Sequence, residues 1–286
     1  VRSRRQRQMC IRDRLNIFLD LFCIVVLKWG CAGAAAATIT AQAISGILCL
    51  VFIGRKMNVL HLTKENRMVN ITAVKELLAM GLPTGLQFSI TAIGSMVMQS
   101  ANNGLGSVCV SGFTAGMRIK QFAMCPFDAI ATSASVFCSQ NMGARQPERI
   151  KKGLRQGVAI ATIYGLLIGL VLIFGGRTLS MIFVKKSAAD VLDASGKYLR
   201  CLGYFFWSLG ILNVSRMVTQ GLGYSGRAVF SGVTEMIARV IVSVGFVGTY
   251  GFTAICCADQ AAWISASCYI LPTCLMCVRR ATEKMK

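Results

Sequence analysis

The chemistry open to this sequence rests on a few polar side chains set inside long apolar runs. Arg118, Lys120, Gln121 and Asp128 fall within the run 107–140, Gln87 and Gln99 within 80–102, and Glu235 and Arg239 within 228–248. A charge near the centre of a bilayer costs roughly 3 kcal/mol or more, so such groups face a water-filled cavity or a partner. These eight residues are therefore the candidates for the lining of a transport cavity. Glu235 precedes Arg239 by four residues, the favourable order for an ion pair on a helix. That pair suits structural neutralisation as well as it suits transport. Lys120 and Asp128 are eight residues apart, near two helical turns, which places both on the wall of one chamber. Arg216 reads as a snorkelling anchor near the end of its run, and Asp259 as an interfacial acid at the outer end of the last one.

Enzymatic chemistry has little support. Gly221-Leu-Gly223-Tyr-Ser-Gly226 has the spacing of a dinucleotide fingerprint, but that motif needs a buried strand before it and a helix after it. An apolar helix precedes it here, so it reads as a tight turn. No H-E-x-x-H or G-x-S-x-G run supplies a metal site or a nucleophile. Cys274-Leu-Met-Cys277 lacks the second pair or the His that zinc needs, since the single His, His61, lies in a distant polar segment. The thirteen Cys are scattered through apolar runs and read as small packing residues.

The elements that must position these residues are membrane helices. The chain is 55% hydrophobic with a mean hydropathy of +0.60, and its apolar residues come in span-length blocks. No period-2 pattern of an outer-membrane barrel recurs. The reading is an all-α, polytopic helical membrane protein with about eight spans: 15–27, 32–53, 80–102, 107–140, 156–174, 198–218, 228–248 and 252–278. Pro83 and Pro126 each remove one backbone hydrogen bond within a span, and Asn102 to Gly106 marks a turn. The formal charge of +20 gathers at span ends, where it orients a membrane protein, which argues against a nucleic-acid partner. Basic clusters in 55–75, 145–155, 216–227 and after 278 mark cytoplasmic sides; the turns at 28–31, 102–106 and 249–251 are nearly free of positive charge and read as external. The mixed segment 177–200 reads as an external interfacial stretch.

The segment 1–14 carries six Arg and no apolar core of a signal peptide, and it reads as a non-homologous tail, with a cloning scar as one source. After it come a hairpin (15–54), a polar cytoplasmic linker (55–75), a six-helix region (76–278) and a basic cytoplasmic tail (279–286). Trp29-Gly30 with Ala37 and Ala41 lines up at one constant offset with Tyr250-Gly251, Ala258 and Ala262, a faint echo of two related bundles.

Ser139-Gln140-Asn141-Met142-Gly143-Ala144, followed by Glu148-Arg149-Ile150-Lys151-Lys152-Gly153, resembles the MATE family of multidrug and toxin extrusion transporters. Thr114-Ala115, Arg118-Ile119, Gln121-Phe122, Gln220-Gly221-Leu222-Gly223, Glu235 with Arg239, and Ala262-Trp263-Ile264 extend that resemblance over about Leu15 to Val278. It departs at Lys120, where the family commonly has an acid, and in 80–102, which lacks the Glu that some branches use for cation coupling. The resemblance implies the end of a first bundle plus a whole second bundle, with the first four helices of the first bundle missing. It also implies a secondary active antiporter of the plasma membrane that exports organic cations or xenobiotics in exchange for H+ or Na+. No other cofactor is implied. A lipid-linked-sugar flippase of the same superfamily, or a membrane fragment that does not transport, are the competing readings; a flippase would need a strongly cationic cavity, hinted at by Arg118 and Lys120. The charge ladder makes a direct prediction for topology. In a Cys-free background, single Cys at Asn66 or Gln146 labels with an impermeant maleimide from the cytoplasmic side alone, and one at Asn103 from outside alone; reversed labelling overturns the orientation.

Overall fold

The computed structural model describes residues 14–56, 70–283 and 285. The tail over 1–13, most of the 55–75 linker with His61, and Lys284 and Lys286 in the C-terminal tail lie outside the described residues. Two compact units divide the chain, Val1–Ile71 and Thr72–Lys286.

The first unit is a helical hairpin. Helix α1 (14–26) ends in the π-turn Phe22–Val26, and α2 runs over Gly30–Lys56. The reversal at Lys28-Trp29-Gly30 is built from two left-handed residues, Lys28 at φ 53° and Gly30 at φ 55°. Across it, Ala37 and Ala41 are each 1% exposed. Small side chains let the two helices close, which is what the run Gly33 to Ala37 predicts.

The second unit is helical throughout its described residues: α3 (Ile71–Asn103), α4 (Ser107–Gly143), α5 (Pro147–Ser180), α6 (Ala189–Gly221), α7 (Ser225–Val240, continued by the π-turn Ile241–Gly245), a single turn α8 (Val247–Tyr250) and α9 (Phe252–Glu283). Inside lipid a backbone must satisfy its own hydrogen bonds, so apolar runs of this length form helices. With α2, six of these helices (α3, α4, α5, α6, α7 with its π-turn, and α9) are long and apolar enough to cross a membrane, seven candidate spans among the described residues. The first predicted span, 15–27, is helical as α1 over 14–26 but is not among the seven. Pro83 and Pro126, and also Pro272, sit within continuous helices.

One expected element is corrected. The segment 177–200 is not an element of its own: α5 continues to Ser180 and α6 begins at Ala189, with Arg177 paired to Asp193 at 2.8 Å across the turn. Helices of 33 to 37 residues are about 50 Å long, against a hydrocarbon core of about 30 Å, so charged ends protrude without leaving the helix. The fingerprint-like glycines form the α6–α7 turn, Gly223 taking φ 87° between two helices with no strand before it.

The interior is close-packed around α6, the most buried span. Phe113 meets Tyr198, Phe127 meets Phe206, and Phe206 meets Trp263, at centroid separations of 4.9, 5.3 and 5.8 Å. Helices α5 and α6 touch backbone to backbone: a Cβ on Gly169 would lie 2.5 Å from the Gly203 carbonyl oxygen, and one on Gly203 would lie 2.6 Å from that of Gly169. Overpacking of this kind costs about 1–3 kcal/mol. Gly203→Ala is therefore expected to lower the unfolding temperature in detergent. Gly175→Ala, where a Cβ meets nothing within 4 Å, is expected to leave it unchanged or raise it, because Ala is the better helix former. Equal losses at both positions would contradict the proposed crossing.

Candidate functional site

Five charged side chains from four helices converge inside the second unit. From α4, the Lys120 ammonium reaches Asp259 Oδ2 on α9 at 2.6 Å and sits 5.4 Å from the Trp263 ring centroid. The Tyr198 hydroxyl of α6 donates to the same carboxylate oxygen at 2.8 Å. From α7, Arg239 Nη2 approaches Asp259 Oδ1 at 3.1 Å and donates to Glu235 Oε1 at 3.0 Å. Glu235 Oε2 accepts from Arg216 Nη2 of α6 at 2.6 Å, and Arg216 Nε donates to Ser231 Oγ at 3.1 Å. The order along this seam is Lys120, Asp259, Arg239, Glu235, Arg216, with signs alternating throughout.

The seam continues onto α3. Gln87 is fully buried beside Gln220, their amides 2.6 Å apart. With the Gln87 oxygen turned toward Arg216, it accepts from Nε and Nη1 at 3.2 and 3.3 Å, and Gln220 then presents its own oxygen to the Gln87 amide nitrogen. Arg239 Nη1 donates to Ser95 Oγ at 3.3 Å, the second tie to α3. None of the five charged residues is more than 8% exposed. A charge at such a depth is tolerated only when paired and hydrogen-bonded.

Two features set the electrostatics. Three cations face two acids, leaving one positive charge in excess. In addition, the Arg239–Asp259 contact is an ion pair without hydrogen-bond alignment, so Arg239 Nε and Asp259 Oδ1, like the nearby Thr91 and Ser243 hydroxyls, keep unused hydrogen-bonding capacity among the described residues. This donor set does not form a cation site: its carboxylates already answer to lysine and arginine.

The expected pair Glu235–Arg239 is formed, Lys120 joins it through Asp259, and Gln87 joins through Arg216. The other expected residues are elsewhere. Gln99 donates to Asn103 at 3.1 Å within α3. Arg118, Gln121 and Asp128 are exposed on α4, and Asp128 Oδ1 lies 3.5 Å from Asn213 Nδ2. Lys120 and Asp128 therefore do not share one chamber wall. Eight residues at about 100° each leave them about 80° apart around the helix, enough to bury one and expose the other.

Three members of the seam and its shell escape a reading of the sequence. Asp259 is not an interfacial acid but fully buried, because it packs against Lys120 of α4, Tyr198 of α6 and Arg239 of α7. Arg216 is not a snorkelling anchor; it is 8% exposed and bonded to Glu235. Tyr198 has no charge to draw attention. The available signal was the spacing Asp259 to Trp263, one turn, which puts acid and aromatic on a single face. The cationic cavity a flippase would need is also weakened, because Lys120 is taken by Asp259.

Membrane-length helices locked by a buried ionic seam define the chain as a polytopic helical membrane protein with a charged interior. The MatE family profile matches residues 83–244, more than half of the chain, and the protein belongs to that family. Among its relatives, "Probable multidrug resistance protein YpnP" of Bacillus subtilis (strain 168) is 28% identical over 209 residues, covering 73% of this chain and 46% of that protein. "Probable multidrug resistance protein NorM" of Thermotoga maritima is 23% identical over 215 residues, again 73% of this chain and 45% of the relative. The chain thus spans about half the length of these relatives. A crystal structure of MATE in complex with MaL6 superimposes with a TM-score of 0.89 at 20% identity, over 96% of this chain and 63% of the other, a likeness of fold.

The seam predicts unequal effects of two similar substitutions. Asp259→Asn strands Lys120 and Arg239 and is expected to destabilise by about 3 kcal/mol, whereas Asp128→Asn, at an exposed site, stays within about 0.5 kcal/mol. Lys120→Met should cost less in the Asp259→Asn background than alone. Thermal unfolding of the purified protein and variants measures all three; equal melting of the two Asp variants would refute the seam.

Proposed function

We propose that the protein works as a secondary active antiporter that moves organic cations or xenobiotics across the plasma membrane in exchange for an inward flow of protons. The observation that carries the choice of ion is the seam. Its two carboxylates are neutralised by three cations, so the seam offers sodium no acid free of a basic partner, and Asp128, outside the seam on α4, is a single carboxylate beside Asn213 rather than a cluster of acids. Membership of the MatE family, and relatives named as multidrug resistance proteins, support the class of cargo. In this reading the C-terminus is cytoplasmic, and a further bundle of the same family faces the second unit.

Two sets of residues divide the work. Lys120, Asp259, Arg239, Glu235 and Arg216 tie α4, α6, α7 and α9 into one rigid body, so that the bundle rocks as a unit about a midplane site. Gln99, Arg118, Gln121 and Asp128, less buried, are the groups that reach water and cargo, and Asp128 is the acid that takes up and releases the coupling proton. Exchange then requires that proton and cation compete for one cavity, the differential affinity that drives any coupled transition.

The test is dye efflux in cells lacking their own exporters, with the protein paired with a complete first bundle. A pH gradient in sodium-free buffer is expected to drive efflux, and Asp128→Asn to reduce it at least tenfold with expression unchanged. Efflux that follows a sodium gradient at constant pH, or that survives Asp128→Asn, would overturn the coupling scheme.

A further inference from the structure

A cavity of about 640 Å³ opens between α4 and the turn joining α5 to α6, away from the ionic seam. Arg118 and Lys185 both line it, with Ser111, Thr114 and Ser187, and its apolar wall includes Phe183 and Val191. Among the described residues, no acid lines this cavity. Of the two acids near the turn, Asp193 is engaged by Arg177 at 2.8 Å and Asp190 lies outside the lining. Two like charges sharing one concavity repel each other, and an anion bound between them relieves that repulsion.

Position narrows the kind of anion. Arg118 stands eleven residues into α4, about 16 Å along the helix. At that depth an arginine reaches toward the membrane surface, and the cavity joins it to Lys185 on the turn. Phe183 is 47% exposed and its neighbour Ile182 is 73% exposed, so the rim next to the cations is apolar. A soluble anion would have no use for that rim. A phosphodiester headgroup carrying acyl chains fits both parts, as basic pockets between membrane helices hold anionic lipids.

We propose that this cavity is a binding site for an anionic phospholipid, with Arg118 and Lys185 holding the phosphate and Phe183 and Val191 meeting the upper part of an acyl chain. The site shares Arg118 with the transport reading, draws its other residues from α4, the α5–α6 turn and the start of α6, and stands apart from the seam. A lipid lodged there would fix the α5–α6 turn against α4.

Native mass spectrometry of the purified protein, released from detergent with added lipid, reads the site directly. Phosphatidylglycerol is expected to be retained over phosphatidylcholine of the same acyl chains by at least tenfold. Each basic residue near a membrane surface contributes about fivefold, so Lys185→Gln should cut the preference about fivefold and Arg118→Gln with Lys185→Gln should abolish it. Lys186→Gln, next to the cavity but outside its lining, should leave it intact. Should the double variant lose its fold, Lys185→Gln on the exposed turn decides the matter alone. Millimolar sodium phosphate should not displace the lipid. Equal retention of the two lipids, an equal loss with Lys186→Gln, a preference unchanged by Lys185→Gln, or displacement by free phosphate would each overturn the proposal.

Discussion

Asp259 brings one carboxylate to the middle of a helical bundle, and cations from two other helices meet on it. Lys120 comes from α4, Arg239 from α7, and the Tyr198 hydroxyl from α6 completes the shell. In an apolar interior this arrangement is more a constraint than a source of stability. Desolvating both partners of a buried ion pair consumes most of what their attraction returns, yet removing one partner is severe. The geometry of four helices is thus tied to one residue: any rotation or axial slip that separates them exposes a bare charge to low dielectric.

That constraint explains why the seam alternates in sign over its whole length. Arg239 bridges two acids and Glu235 bridges two arginines, so each interior member has an opposite charge on both sides. The ends are then closed by neutral groups, Trp263 at Lys120 and the Gln87–Gln220 amides at Arg216. The helix faces that lack such ties are held by close approach, as where Gly169 and Gly203 bring α5 against α6. Without a hydrophobic driving force between helices in lipid, contact distance and polar ties are the means available.

Polar groups fall into three environments with different consequences. The seam is buried and paired. Arg118, Gln121 and Asp128 lie on exposed parts of α4, open to whatever faces that helix. The basic cavity lies beside the α5–α6 turn, at the ends of helices of 34 and 33 residues, longer than a hydrocarbon core of about 30 Å requires. Arg118 and Lys120 show how sharply these environments divide: two residues apart on one helix, they turn about 160° away from each other.

The sequence by itself determined the helical class, most span positions, the turns at Lys28 to Gly30, Asn102 to Gly106 and Gly221 to Gly226, and the family. Each of these follows from local information: apolar run length, residues permissive of positive φ, and one long ordered motif. It also determined the Glu235–Arg239 pair, because four residues on a helix are neighbours whatever surrounds them. Only the tertiary structure decided that Lys120 answers to Asp259, 139 residues away, and that Arg216 answers to Glu235. Helical periodicity states which residues share a face; it does not state which faces meet, at what depth, or through which close-packed crossings. For Asp259 the neighbours reversed the reading: its helix starts at Phe252, as the apolar run indicated, but the groups it turns toward, Lys120, Arg239 and Tyr198, come from three other helices.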